Sequence, residues 1–276
     1  MTQPFTDQHM AVVARILRDA AMAEIRPRFR RLRADAVRFK SSPTDLVTDA
    51  DEAAERRITA ELRRFFPGCV VVGEESCAAD PALLQSWSKS DLVFFVDPVD
   101  GTANFAAGVP LFGSMAAAVQ GGEVIAAWIY DPMGDDTAMA IRGKGAWIET
   151  PCGQRSDLQV ASPAPVSEML ASISWTYMAE PIRSRVAHRM TRFRGGMQFR
   201  CAAHEYRLVA GGGSHILVYH RLMPWDHLPG WLLHREAGGY SARFDGSEYR
   251  PEHVSGGLIV APDRSSWDAV RTALLD

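Results

Sequence analysis

Between residues 91 and 149 the chain carries apolar segments that only a sheet accommodates: DLVFFVD at 91–97, SMAAAVQ and EVIAAWIYD across Gly121–Gly122, then DTAMAI and GAWIE across residues 142–145. A Gly-Gly pair between two apolar runs is a hairpin signal, because glycine reaches the positive φ that tight hairpin turns demand. The middle of the chain is therefore an antiparallel sheet. Upstream, residues 7–37 show apolar positions at helical spacing, with Pro27 expected to kink or break the segment. From Thr48 an Ala, Glu and Arg-rich run with Ile58, Leu62 and Phe65 on one face predicts a second helix, ending before Pro67–Gly68. The short burst CVVVG at 69–73 predicts another strand, which stops at Glu74–Glu75.

Beyond Pro151 the pattern changes. Strand-like EMLASISW and GLIVAP alternate with helical AAHEYRLVA and WLLHREAG, and MQFRCAAHEYRLVAGGGSHILVYH mixes the two. The Pro, Ser and Gly-rich stretch near 151–165 suggests a border between an N-terminal helix-plus-sheet domain, 1–150, and a C-terminal α/β domain, 151–276.

With 47% hydrophobic and 23% charged residues and a net charge of -3, the composition is that of a soluble globular chain, and no nucleic-acid partner is expected. Only Lys40, Lys89 and Lys144 among the 30 basic residues are lysines, so arginine runs such as RPRFRRLR at 26–33 are read as a solvated helix face. Cys69, Cys77, Cys152 and Cys201 have no metal-ligand or CxxC spacing, which suits a reduced, cytoplasmic protein. No signal-peptide pattern and no membrane-length apolar segment is present.

Acids collect where elements end: Asp45 and Asp51 in the polar stretch, Glu74 and Glu75 after one strand, Asp97 and Asp100 after another, and Asp226 in PWDH. The strand C-terminal edge of an α/β sheet is where sites are usually built. Carboxylates gathered there repel unless a cation neutralises them, and oxygen ligands in this number suit Mg²⁺, an ion commonly shared with phosphate oxygens. For VDPVDGTANF at 96–105, Pro98 is expected to fix a turn that lets both aspartates and the Val99 carbonyl face one point.

Four segments, KSSPTDLVTDAD (40–51), GEES (73–76), DPVDGTANF (97–105) and PWDHLPGWLLHREAGG (224–239), resemble in order and spacing the signatures of the inositol monophosphatase family. The resemblance implies an α/β (α+β) fold, a layered α-β-α-β-α sandwich of the sugar-phosphatase type. It implies a Mg²⁺-dependent, lithium-sensitive phosphomonoesterase that uses metal-activated water on a small phosphorylated metabolite, usually as a homodimer. Glu74, Asp97 and the Val99 carbonyl would hold one ion, Asp97, Asp100 and Asp226 a second, with a third, weaker site near Glu74. Thr102 would work with Asp51 to orient and deprotonate the attacking water, assisted by Glu74. Gly101 and Thr102 would present N–H groups to phosphate, and Lys40 would attract it; a solvated loop lysine is the alternative.

Departures fall on the second half. In FRCAAHEY, Arg200 and Cys201 stand before Ala202 where the family usually has Gly-Ser or Gly-Thr, and Tyr219 replaces the glutamate that binds sugar hydroxyls in inositol-cleaving members. Arg200 suits a carboxylate or second phosphate, or else a structural ion pair with Glu205 or another acid; Tyr219 suits stacking on a flat ring. His204 and His215 are either pocket residues or structural. These changes would fit a nucleotide or an imidazole-bearing ester such as histidinol phosphate; 3'(2'),5'-bisphosphate nucleotidase and fructose-1,6-bisphosphatase activities are the enzymatic alternatives. A regulatory, RNA-polymerase-associated role is the non-enzymatic alternative.

Overall fold

The computed structural model describes residues 5–32, 36–39 and 46–276. Helix α1 (Asp7–Ala20) starts at a capping box formed by Thr6 and His9 and runs into a π turn over Ala21–Ile25 and a 3₁₀ turn over Arg26–Arg28. Pro27 thus ends the helical run, as its missing N–H and fixed φ require. Strands β1 (Val37–Phe39) and β2 (Leu46–Thr48) pair antiparallel and lead into α2 (Asp49–Phe65). In α2, Ile58 and Leu62 are wholly buried, each contributing roughly 1.5–3 kcal/mol. Phe65, expected on that face, is instead exposed, and Phe66, one residue past the helix, is buried in its place.

The large sheet contains β3 (Val70–Gly73), β4 (Leu92–Asp100), β5 (Gly113–Gln120), β6 (Glu123–Asp131), β7 (Asp136–Ile141), β8 (Gly145–Glu149) and β9 (Arg155–Asp157) in that spatial order. Between β3 and β4 lie α3 (Glu74–Ala79) and α4 (Leu83–Ser86), a crossover that makes this pair parallel; all later neighbours are antiparallel. Helix α5 (Thr102–Ala106) links β4 to β5. The smaller sheet is built from β10 (Leu170–Ile173), β11 (Gly195–Gly196), β12 (Ile216–Tyr219), β13 (Tyr240–Arg243) and β14 (Leu258–Ala261), in the order β11-β10-β12-β14-β13. Its helices are α6 (Ile182–Arg189), α7 (Ala202–Ala210), α8 (Pro224–Glu236) and α9 (Arg264–Leu275).

The apolar run in β4 is continuous because both faces of its sheet are covered. Phe94 and Val96 pack with α1 and α2, while Val93 and Phe95 face the layer that holds Tyr206, Leu228 and Leu232 of α7 and α8. That same layer touches Leu217, Leu258 and Val260 of the smaller sheet, whose other face carries Ile216, Val218 and Ile259 against Trp267, Val270 and Leu274 of α9. The layers therefore run α-β-α-β-α. Helix α8 includes the whole PWDHLPG segment, with Pro229 inside it, and not only WLLHREAG. Gly230 allows this seating: a Cβ there would stand 2.0 Å from the Tyr206 ring. Among the described residues no helix is long and apolar enough to cross a membrane, and all four cysteines are free thiols.

Candidate active site

The parallel pairing of β3 with β4 explains how two distant motifs meet. Gly73 is in register with Val96, so the next residue on each strand, Glu74 at the start of α3 and Asp97 within β4, stands side by side at one end of the parallel pair. Asp226 reaches that point from the first turn of α8, a helix packed across β4 to β7. One carboxylate oxygen from each of Glu74, Asp97 and Asp226 lies within 4.8 Å of the others.

VDPVD does not form the expected turn. The strand continues to Asp100, and the register against β5 shifts between Asp97 and Asp100, which is a bulge. Val99 N–H donates to Asp97 Oδ1 at 2.9 Å, so the extra residue folds back on the first aspartate. The turn follows at Gly101, whose φ of 86° favours glycine; a Cβ would also stand 2.9 Å from the Leu111 carbonyl oxygen. Thr102 then opens α5.

Asp51 sits in the first turn of α2, wholly buried, as the partner of Thr48 in a capping box. Its Oδ2 accepts Thr48 N–H at 3.0 Å and the Thr48 hydroxyl at 2.5 Å; its Oδ1 lies 3.0 Å from Thr102 Oγ1, which is also 2.9 Å from the Val99 carbonyl oxygen. Burial first, and the charge of Glu74, push Asp51 up to about 6, against the hydrogen bonds from Thr48 and Thr102. Asp100 is also pushed up to about 6 by burial, although its Oδ2 accepts Ala203 N–H at 2.6 Å and the Cys201 thiol at 3.0 Å. Burial raises Asp226 well above the carboxylate range, with Glu74 and Asp100 adding to it. Carboxylates held this close, in part away from water, are a donor set that a hard divalent cation fits.

A cavity of about 520 Å³ opens over these groups. Glu74, Asp97, Val99, Asp100 and Asp226 line it, as do Gly101 and Thr102. Arg200, Ala202 and Tyr219 line it from the second half of the chain. Lys40 and Asp45 lie outside the described residues. Glu75 lines a neighbouring cavity that shares Glu74 with the first. His204 and His215 line neither: the His204 ring meets the Phe112 carbonyl at 3.2 Å, and His215 Nδ1 accepts Leu170 N–H at 3.2 Å. Tyr219 is buried, stacked on Tyr206, and its hydroxyl donates to Glu205, which leaves its ring face on Tyr206; Tyr177, on the wall of the same cavity, is 53% exposed.

Glu55 escaped the sequence reading, and Glu205 entered it only as an ion-pair partner for Arg200. Glu55, buried on the apolar face of α2, accepts Glu75 N–H at 2.7 Å, Ser76 N–H at 2.8 Å and the Ser76 hydroxyl, thereby capping α3 where Glu74 begins. Gly73 makes room for it: a Cβ there would stand 2.2 Å from Glu55 Cδ. Glu205, in α7, underlies Arg200. The available signal was an acid on a helix face otherwise apolar, as with Glu55 beside Ala54 and Ile58.

Comparison with known proteins identifies the family. The chain matches the model of the inositol monophosphatase family over residues 6–275. It is 32% identical over 217 residues to a Thermotoga maritima protein named fructose-1,6-bisphosphatase/inositol-1-monophosphatase, covering 78% of each chain. It is 30% identical over 237 residues to a Pseudomonas aeruginosa protein named Nus factor SuhB, covering 83% of each. Among solved structures, a Thermotoga maritima IMPase superposes with a TM-score of 0.82 at 26% identity, covering 97% of this chain and 96% of that one.

Proposed function

The chain belongs to the inositol monophosphatase family and is a phosphomonoesterase, and from that premise we propose that it hydrolyses a small phosphate ester with Mg²⁺ as its cation. The observation that carries this reading is the convergence of Glu74, Asp97 and Asp226 beside the Asp51–Thr102 pair. In it, Glu74, Asp97 and the Val99 carbonyl would hold one ion, Asp97, Asp100 and Asp226 a second, with a third near Glu74. When bound, such ions would offset the negative charge of phosphate oxygens and lower the pKa of a bound water.

The protein's own groups supply the rest. Asp51, with its raised pKa, is a base matched to neutral pH and takes a proton through the Thr102 hydroxyl, 3.0 Å away. Glu74 assists that step. Backbone N–H groups of Gly101 and Thr102 receive the phosphate oxygens, and Ala202 and Asp226 contact the alcohol part of the ester. Water adds to phosphorus, the ester P–O bond breaks, and the departing oxygen takes a proton from solvent, to which Asp51 returns the one it accepted; no covalent phospho-enzyme is required.

The test is a panel assayed with and without Mg²⁺: myo-inositol 1-phosphate, histidinol phosphate, fructose 1,6-bisphosphate and adenosine 3',5'-bisphosphate. The reading expects Mg²⁺-dependent release of phosphate from at least one, and its collapse in Asp97→Asn with the fold intact. Turnover that survived in Asp97→Asn would remove the metal-site assignment. The relative named a Nus factor favours a second reading, a regulatory role associated with RNA polymerase, and such a role would survive Asp97→Asn.

A further inference from the structure

Arg200 has a φ of 53°, in the left-handed region that favours glycine, and glycine is what the resembled family usually carries there. A strained residue persists only where its surroundings hold it. Here the hold is explicit. Phe199 N–H donates to Glu205 Oε1 at 2.7 Å, the Phe199 carbonyl accepts from Asn104 Nδ2 at 2.6 Å, and Arg200 N–H also donates to Glu205. The Glu205 carboxylate is buried and takes further hydrogen bonds from the Tyr219 and Ser172 hydroxyls. Every donor to it is a neutral group.

The ion pair between Arg200 and Glu205 is therefore absent: Glu205 holds the backbone of the corner and not the guanidinium. Arg200 is exposed, lines the cavity, and has no ion-pair partner among the described residues. Arg221 lines the same cavity on the same terms. Strain is maintained at a position where glycine would relieve it, and the result is a charged side chain at the mouth of the site.

Resting on the phosphatase reading above, we propose that Arg200 is a specificity-determining residue that binds a second anionic group of the substrate, and that Glu205 is the positioning residue for it. The cavity then selects phosphate esters bearing another phosphate or a carboxylate, groups that a guanidinium meets with paired, charge-assisted hydrogen bonds.

The experiment compares kcat/KM of the full chain with Mg²⁺ for adenosine 3',5'-bisphosphate, fructose 1,6-bisphosphate and 3-phosphoglycerate against glycerol 2-phosphate, which lacks the second anion. In Arg200→Ala the preference for doubly anionic esters is expected to fall about 10–100-fold, mainly through KM, the loss of one charge-assisted contact. Arg200→Gly is expected to lose the same preference while raising Tm, because the strain is relieved. Glu205→Gln is expected to lower the preference with Arg200 present and to change it no further with Arg200→Gly, a coupling that a purely structural role would not give. An unchanged preference in Arg200→Ala and Arg200→Gly would overturn the subsite. A Glu205→Gln effect of equal size in both backgrounds would overturn the positioning role. Failure of the unmodified protein to hydrolyse any ester would instead remove the phosphatase reading, and this inference with it.

Discussion

Thr102 Oγ1 stands 3.0 Å from Asp51 Oδ1 and 2.9 Å from the carbonyl oxygen of Val99, so one hydroxyl joins a buried acid in α2 to the bulge that ends β4. A general base reached through this relay contributes about 10²–10⁴-fold to rate. Asp51→Asn and Thr102→Ala are each expected to lower kcat within that range. Asp51 must be ionised to accept a proton, so activity is expected to fall as pH drops through about 6. A kcat in Asp51→Asn equal to that of the unmodified protein would exclude the relay.

Asp100, near 6 in the folded chain, makes metal removal pH-dependent. Its folded value lies above the unfolded one of about 3.9, so the metal-free fold is favoured below that pH and loses stability as pH rises toward 6. Cation binding needs the ionised forms and releases protons. The gain in Tm from Mg²⁺ over EDTA is therefore expected to be larger at pH 7.5 than at pH 5. Differential scanning fluorimetry measures it, and an equal gain at both values would count against carboxylate ligation.

Much of this was legible in the sequence because hairpin glycines and apolar runs report local geometry. The four motifs fixed which acids to compare, but not how Glu74 and Asp97 meet, which depends on a parallel register between strands separated by two helices. The Pro98 turn was misread because Asp, Pro and Gly serve a bulge as well as a turn, and only pairing with β5 separates the two. Phe65 and Phe66 could not be ranked from periodicity, since helix ends differ by a residue or so. Glu55 was not legible as a site residue, and Glu205 was legible only as an ion-pair partner, because both hold backbone N–H groups, which carry no sequence signature.

Glu55 gives a stability prediction tied to the site. Removing its carboxylate in Glu55→Ala leaves the N–H groups of Glu75 and Ser76 without their acceptor, and such a group costs about 1–3 kcal/mol where water cannot replace it. The urea midpoint is expected to fall with the slope unchanged, and kcat to fall with it, because α3 sets where Glu74 stands. Gly73→Ala should reproduce both effects, since its Cβ would occupy the space of the same carboxylate. Wild-type stability in both variants would show that Glu55 does not hold α3.

His234 tests the packing of α8 at a distance from the chemistry. Its ring is wholly buried in the last turn of the helix, neither nitrogen has a hydrogen-bond partner among the described residues, and burial pushes its pKa down to about 3. Above pH 6.5 the ring is neutral in both folded and unfolded chains. Below it the unfolded chain takes up a proton that the folded chain refuses until about pH 3, so stability falls by about 1.4 kcal/mol per pH unit across that window. The raised carboxylates act in the opposite direction, and a comparison of variants cancels them. Between pH 7 and pH 5 the stability of the unmodified protein is therefore expected to change by about 2 kcal/mol more unfavourably than that of His234→Leu. Urea titrations of both proteins at the two pH values measure the difference. Parallel pH dependences would mean that the buried ring is protonated in the folded state.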